Sequence, residues 1–288
     1  MNIDSIVVIG SGTMGRGIAQ VAATCGLDVW LHDAVATQLA GAAGQIEKDL
    51  GRLVEKGKLT ADQAAAARKR LTIAESLDSV PWKKIGLAIE AIFEDFDAKK
   101  ALYAALEPRL PADAILASNT SSISITKLAA ATRRVPRFIG MHFFNPVPVM
   151  ALVEIIRGLN TADETKQTIE ALAKKMGKTP LHVNDMPGFV SNRVLMPLIN
   201  EAAFCVMEHV ADPVTIDQVM QLGCAHTMGP LATADLIGID VCVHIMEVLQ
   251  RELGDPKFRP CPLLRTMVHA GRLGRKSGRG FFEYPAKK

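Results

Sequence analysis

The chain has 288 residues, 33 Lys and Arg against 30 Asp and Glu for a formal net charge of +3, and 49% hydrophobic residues with 22% charged. An apolar fraction of that size excludes disorder of the whole chain, the charge is too small to argue for a nucleic-acid partner, and no run approaches the ~20 apolar residues of a membrane span. The length suits one large or two medium domains, and an aromatic content of only 5% favours Ala-rich helices and aliphatic strands over an all-β fold. The opening Met1 to Ser5 lacks the basic region of a signal peptide and runs straight into a strand, so a cytoplasmic location is expected. Cys25, Cys205, Cys224, Cys242 and Cys261 make no C-x-x-C pair. An odd number argues against a disulfide framework; they read as buried, reduced thiols, and no metal is expected.

In chain order, residues 6–9 form a short apolar strand that ends at a glycine cluster. A helix follows over 14–25, stopped by Gly26, and a second strand over 28–32 ends at Asp33. Residues 35–70 are almost all helix formers, split at Lys56-Gly57-Lys58, with Thr60 and Gln63 as a capping box for the second piece. This predicts a helical hairpin larger than a crossover needs. Its Lys48, Arg52, Lys56 and Lys58 fall largely on one face, which is either a solvated face or an anion-binding surface for a phosphorylated substrate. Further strands are predicted at 86–91, 114–117, 138–142 and 152–156, and a helix at 124–131. Apolar strands separated by helices point to an α/β doubly wound, parallel sheet with right-handed crossovers. Near Asp185-Met186-Pro187-Gly188 the pattern changes to helices only, at 189–210, 213–222, 230–253 and 261–270, with Asp212-Pro213 and Gly229-Pro230 as stop-and-start signals. The expected organisation is therefore a domain over 1–186 and an all-α domain over 187–288, of a kind that often pairs two chains through an apolar face.

The strongest local signal is Gly10-Ser11-Gly12-Thr13-Met14-Gly15, a G-x-G-x-x-G between a strand and a helix. Gly10 allows the tight turn, Gly12 lets a pyrophosphate approach the backbone, and Gly15 lets helix and strand pack closely. The helix N-terminus offers N–H groups and a positive dipole end to phosphates. Asp33, at the end of the second strand, suits the adenosine ribose hydroxyls and repels a 2′-phosphate, which favours NAD over NADP. His142 ends an apolar strand, and Glu154 is a charge inside the apolar run 152–156. A buried carboxylate needs a partner. An imidazole beside it would make an acid–base pair for an alcohol or carbonyl oxygen; a structural His and an edge-strand Glu are the other reading. Residues 118–122 (SNTSS) lie at a carboxyl strand end, where open α/β sheets bind ligands, and also suit a helix cap. Asn192 lies in an apolar helical run and must find a partner if buried.

Together, residues 10–15 (GSGTMG), 117–122 (ASNTSS), 141–150 (MHFFNPVPVM), 187–193 (PGFVSNR) and 228–230 (MGP) resemble the L-3-hydroxyacyl-CoA dehydrogenase family, particularly its bacterial short-chain members, over essentially the whole chain. The resemblance implies a Rossmann-like doubly wound domain with a helical hairpin insertion, followed by an all-α domain for substrate and dimerisation. It implies NAD as cofactor, an acyl-CoA substrate and a homodimer. By the same resemblance His142 is the catalytic acid–base and Glu154 its orienting partner, while Ser121 and Asn192 hold the thioester and the C3 oxygen. Gly10, Gly12, Thr13, Met14, Gly15, Asp33, Glu94, Lys99, Asn145 and Lys276 line the cofactor, and Lys56 faces the phosphates of coenzyme A. Two other readings stand beside it: a hydroxyacid dehydrogenase for free carboxylates, a group that typically uses a lysine acid–base, and a crystallin-like or redox-sensing NAD-binding protein.

Overall fold

The structure is a computed structural model that describes residues 3–285. It divides into two compact units, Met1–Met186 and Pro187–Lys288. The first unit runs β1 (Ser5–Ile9), α1 (Thr13–Thr24), β2 (Asp28–His32), α2 (Ala36–Glu55), α3 (Ala61–Arg70), β3 (Leu71–Ile73), β4 (Leu87–Glu90), α4 (Phe96–Leu106), β5 (Ile115–Ser118), α5 (Ile125–Ala130), β6 (Phe138–Phe143), β7 (Leu152–Arg157), α6 (Asp163–Lys175) and β8 (Thr179–Asn184). The second contains α7 (Ser191–Met207), α8 (Pro213–Gly223), α9 (Pro230–Ile237), α10 (Ile239–Leu253) and α11 (Pro262–His269).

The eight strands form one sheet in the order β3-β2-β1-β4-β5-β6-β7-β8. β4, β5 and β6 are buried at every residue, as strands covered on both faces must be, which is why they read as unbroken apolar runs. The order reverses between β1 and β4, so the carboxyl ends of these two strands open a crevice at the topological switch point. Strand alternation then sorts the side chains. Ile89, Ala117, Met141, Phe143 and Val153 join the core beneath α1, α2 and α6. Their neighbours Glu90, Ser118, His142 and Glu154 point to the other face.

The doubly wound sheet and the hairpin match expectation, and the Thr60–Gln63 capping box is formed on both sides. Lys48, Arg52, Lys56 and Lys58 are all exposed. Four features differ. β3 and β8 are edge strands that the hydrophobic pattern does not announce: β3 is three residues long and β8 is largely exposed, so neither needs an apolar run. β7 is antiparallel to β6, because the connection over 144–151 is shorter than the roughly dozen residues of a parallel crossover. The predicted helix 230–253 is two helices, broken at Gly238, whose φ of +108° no helix accommodates. The chain end is not purely helical either, since Arg279 bridges to Gly274 and Glu283. Of the cysteines, Cys242 and Cys261 are buried as expected, whereas Cys224 is exposed.

The second unit packs Met196, Ile199, Cys242, Met246, Leu249 and Leu264 into its own core. Two buried carboxylates organise it. Asp217 accepts from the N–H groups of Leu231 and Ala232 at 2.9 and 2.8 Å and so caps α9. Asp235 accepts from the N–H groups of Phe281 and Phe282 and from the Tyr284 hydroxyl, tying the chain end to α9. Among the described residues no helix is long and apolar enough to cross a membrane.

The contact between β1 and α1 depends on missing side chains. A Cβ at Gly15 would lie 1.8 Å from the Gly10 carbonyl oxygen, a backbone atom that cannot rotate away. Gly15→Ala is therefore expected to destabilise the first unit by at least ~1–3 kcal/mol, read as a lower urea midpoint for that unit; an unchanged midpoint would contradict this packing.

Candidate active site

The turn after β1 follows from its glycines. Gly10 sits at φ +105°, and a Cβ there would lie 2.4 Å from the Ala91 carbonyl oxygen, so only glycine lets the two strand ends come this close. Gly12 is the N-cap of α1 with no side-chain cap, and a Cβ on it would meet nothing within 4 Å. Space is thus left in front of Gly12 at the N-terminus of α1, and a helix N-terminus is where a phosphate is received. Beside them lies a cavity of ≈ 550 Å³ whose walls include Gly10, Gly12, Asp33, Val35, Leu77 and Leu102. Asp33 accepts from the Ser11 N–H at 2.6 Å, the Ser11 hydroxyl at 2.9 Å and the Val35 N–H at 2.8 Å. Burial alone would push its pKa up, but these donors outweigh it and hold the carboxyl below its ordinary value. The side chain is therefore a fixed anion in the cavity wall. Glycine turn, open helix end, anchored acid and apolar walls fit an adenine dinucleotide without a 2′-phosphate.

At the far end of β6, His142 and Glu154 are register partners of an antiparallel pair, so their side chains share one face. Both are buried, and His142 Nδ1 lies 2.7 Å from Glu154 Oε2. A carboxylate only accepts, so Nδ1 donates, and a neutral ring in this tautomer carries its lone pair on Nε2. Phe144 lies against the ring with centroids 4.6 Å apart. Asn119 Oδ1 accepts from the Phe143 N–H at 2.9 Å and ties the β5 loop to the residue after His142.

The polar loop after β5 wraps around Glu94. Its Oε1 accepts from the Thr120 hydroxyl at 2.6 Å, the Ser121 and Ser122 N–H groups at 2.9 Å and the Ser122 hydroxyl at 3.0 Å. Glu94 Oε2 lies 3.4 Å from the Lys99 ammonium, which is 1% exposed and also lies 2.5 Å from Glu90 Oε1. Burial would raise the Glu94 pKa; Lys99 and the loop donors more than compensate and hold it below the ordinary 4.5. Lys99 therefore sits beneath Glu94 and does not line the cavity. Asn145 is exposed at the start of the β6–β7 connection, a segment pinned where buried Lys178 donates to the Val147 and Met150 carbonyls at 2.5 and 2.8 Å. Lys56 is the C-cap of α2. Thr13 and Met14 open α1. Asn192 and Lys276 belong to the second unit. Asn192 is buried in the first turn of α7 with its N–H on the Gly188 carbonyl, and Lys276 is paired with Asp240 at 2.6 Å.

Three residues of this region escape the sequence pattern: Glu90, Tyr103 and Lys178. Glu90 carried a usable signal, a charge closing the apolar run Leu87-Ala88-Ile89, the same kind of signal that exposes Glu154. Tyr103 lies four residues after Lys99 and so on its face of α4. Burial and then the Glu90 charge push the Tyr103 phenol well above its ordinary value, so it donates.

A doubly wound sheet with this glycine turn, anchored acid and cavity defines a dinucleotide-dependent oxidoreductase. The family model for the 3-hydroxyacyl-CoA dehydrogenase NAD binding domain matches residues 5–186, and that for the C-terminal domain of the same enzymes matches 188–284. The chain belongs to the 3-hydroxyacyl-CoA dehydrogenase family, as the motifs implied, and its cofactor is NAD. It is 53% identical over 287 residues to a protein of Bacillus subtilis (strain 168) described as a probable 3-hydroxybutyryl-CoA dehydrogenase, covering 100% of this chain and 99% of that one. A Deinococcus radiodurans protein of the same description is 55% identical over 278 residues, 96% of this chain and 99% of that one. The crystal structure of (S)-3-hydroxybutyryl-CoA dehydrogenase from Ralstonia eutropha superposes with a TM-score of 0.93 at 49% identity, covering 98% of this chain and 99% of that one.

Because the folded pKa of Glu94 lies below 4.5, the hold of its carboxylate on the loop is fully present above that pH and is lost as pH falls through the lower folded value. The Ser121 and Ser122 amides should therefore keep their hydrogen-exchange protection from neutral pH down to the ordinary glutamate range and lose it below. Glu94→Gln should exchange roughly tenfold to a hundredfold faster at pH 7; equal rates would dissociate Glu94 from the loop.

Proposed function

We propose that the protein interconverts short-chain (S)-3-hydroxyacyl-CoA and 3-ketoacyl-CoA, with 3-hydroxybutyryl-CoA as the reference substrate, and that His142 is its acid–base. The observation that carries this reading is the buried 2.7 Å contact between His142 Nδ1 and Glu154 on the sheet face beside the Ser-rich loop. NAD, when bound, supplies the acceptor for the hydride leaving C3. In the oxidative direction His142 Nε2 takes the hydroxyl proton as the C3–O bond gains double-bond character. Glu154 keeps the ring in one tautomer and offsets the charge of the imidazolium that forms. In the reductive direction His142 returns the proton to the C3 oxygen. Ser121 and Asn192 hold the thioester and the C3 oxygen; Gly10, Gly12, Thr13, Met14 and Gly15 receive the pyrophosphate; Asp33 takes the adenosine ribose. Glu94, Lys99, Asn145 and Lys276 serve the cofactor side, and Lys56 faces the phosphates of coenzyme A.

The domain over 187–288 serves substrate binding and pairs two chains in a cytoplasmic homodimer. Its α8 supports this, since Val214, Val219 and Leu222 are all more than half exposed, apolar area that a partner would cover. Leu222→Glu should shift the sedimentation coefficient from dimer to monomer, and a wild-type monomer would refute the pairing.

The direct test is His142→Ala. General acid–base catalysis is worth ~10²–10⁴ in rate, so kcat for acetoacetyl-CoA should fall by that factor while NADH binding, followed by its fluorescence, stays at the wild-type level. Near-normal turnover would remove His142 from the mechanism. Free acetoacetate should react poorly, and equal rates with the free acid would favour a hydroxyacid dehydrogenase instead. A preference for substrates ending in a carboxylate would redirect the reading to 3-hydroxyadipyl-CoA.

A further inference from the structure

A second buried carboxylate shares the sheet face of His142 and Glu154. Glu90 pairs in register with Ser118, and Ser118 with Gly140, two residues before His142, so all four stand on one face. Glu90 is wholly buried and accepts four hydrogen bonds. Its Oε1 takes the Ile92 N–H at 2.9 Å and the Lys99 ammonium at 2.5 Å. Its Oε2 takes the Tyr103 hydroxyl at 2.9 Å and the Ser118 hydroxyl at 2.6 Å. Beyond Lys99 comes Glu94 and beyond Glu94 the Ser121 loop. The unbroken sequence of contacts is thus Glu90, Lys99, Glu94, Ser121.

Stability is a poor reason for such an arrangement. A buried ion pair often does no better than well-packed apolar residues of the same volume, whereas losing one partner is severe. What charge adds is a fixed position. An ammonium shared by two carboxylates sits where both require it, and here one carboxylate also holds the loop of the reacting site. We propose that Glu90 is a positioning residue of the dehydrogenase reaction: by holding Lys99 it sets the place of Glu94 and through it the Ser121 loop. The inference rests on the reading of Ser121 as a substrate-binding residue.

Glu90→Gln keeps shape and hydrogen-bonding capacity, since the Tyr103 and Ser118 hydroxyls can turn to accept, but removes the charge. Lys99 is then drawn to Glu94 alone and the loop shifts. The expected result is a fall of about tenfold in kcat and a higher KM for acetoacetyl-CoA, per folded molecule, with weaker NADH binding by fluorescence as well, since Lys99 and Glu94 serve the cofactor side. Lys99→Met leaves two carboxylates facing each other and should lose more; adding Glu90→Gln to it should recover part of the loss, a coupling that independent structural damage would not give. Tyr103→Phe, which keeps its edge contact with the Phe138 ring at 5.4 Å, serves if Glu90→Gln does not fold, with a smaller loss of about two- to fivefold in kcat. An active wild type with both Glu90→Gln and Tyr103→Phe at normal kcat and KM, or strict additivity in the cycle, overturns the inference alone. A wild type inactive on every 3-hydroxyacyl-CoA overturns the reading beneath it, and the inference with it.

Discussion

An ionised carboxylate inside an apolar sheet must be met by donors or it will not stay ionised, and much of this molecule is arranged around that requirement. Four carboxylates gather at or near the carboxyl ends of the central strands. Asp33 is met by the glycine turn, Glu90 by Lys99 and two hydroxyls, Glu94 by a loop folded back on itself, and Glu154 by His142. Each solution fixes something else. The glycine turn is anchored by the acid that follows the second strand, the Ser-rich loop takes its shape from Glu94, and the imidazole is turned by its partner. Remove the carboxylates and the backbone could still make a doubly wound sheet, but the groups at its edge would have no defined direction.

The sheet order explains why these groups meet. At the switch point β1 and β4 diverge to opposite crossovers, so no connection covers their carboxyl ends. Gly10 brings the β1 turn against Ala91, and the same close approach puts the helix N-terminus beside the start of the segment that carries Glu94. The antiparallel β7 adds a different device. A parallel strand would have needed a long crossover between His142 and Glu154; the short return over 144–151 puts them opposite each other in register. Lys178 then pins that return to the body of the sheet, so the segment holding Asn145 does not depend on its own sequence for rigidity.

What the sequence discloses divides along the same physical line. The glycine turn is legible because its chemistry is local: three glycines, a strand before and a helix after. Asp33 is legible because the second strand ends there. The His142–Glu154 contact could be suspected from a charge inside an apolar run, but antiparallel pairing is a tertiary fact and the register could not be read. Glu90 gives the same signal as Glu154, yet its partners come from α4 and β5, nine to 28 residues away, so no short motif contains them. β3 and β8 stay hidden because edge strands need no apolar face to the outside. The break at Gly238 stays hidden because a lone glycine inside a helical pattern is often tolerated, and only the backbone angle distinguishes a break from a weak position. Lys99 is the instructive case. The resemblance implies a place beside the cofactor for it, whereas its burial puts it in the charge balance beneath Glu94.

That balance bears on how the reaction is prepared. Donors that must reorient when charge develops in a transition state add to the barrier; donors already held do not. Here the serine and threonine groups of the β5 loop are held in place, because Glu94 accepts their N–H and O–H bonds. Glu154 does the same for the imidazole by accepting at Nδ1. Both carboxylates are kept in place by groups more deeply buried than themselves or by the sheet register. The order of burial is therefore an order of support: the apolar face fixes the strands, and the buried charges fix the polar side chains around them. An enzyme with few aromatic rings can build a rigid site this way, since the rigidity comes from satisfied charges on an aliphatic sheet and does not require large rings to wedge the side chains in place.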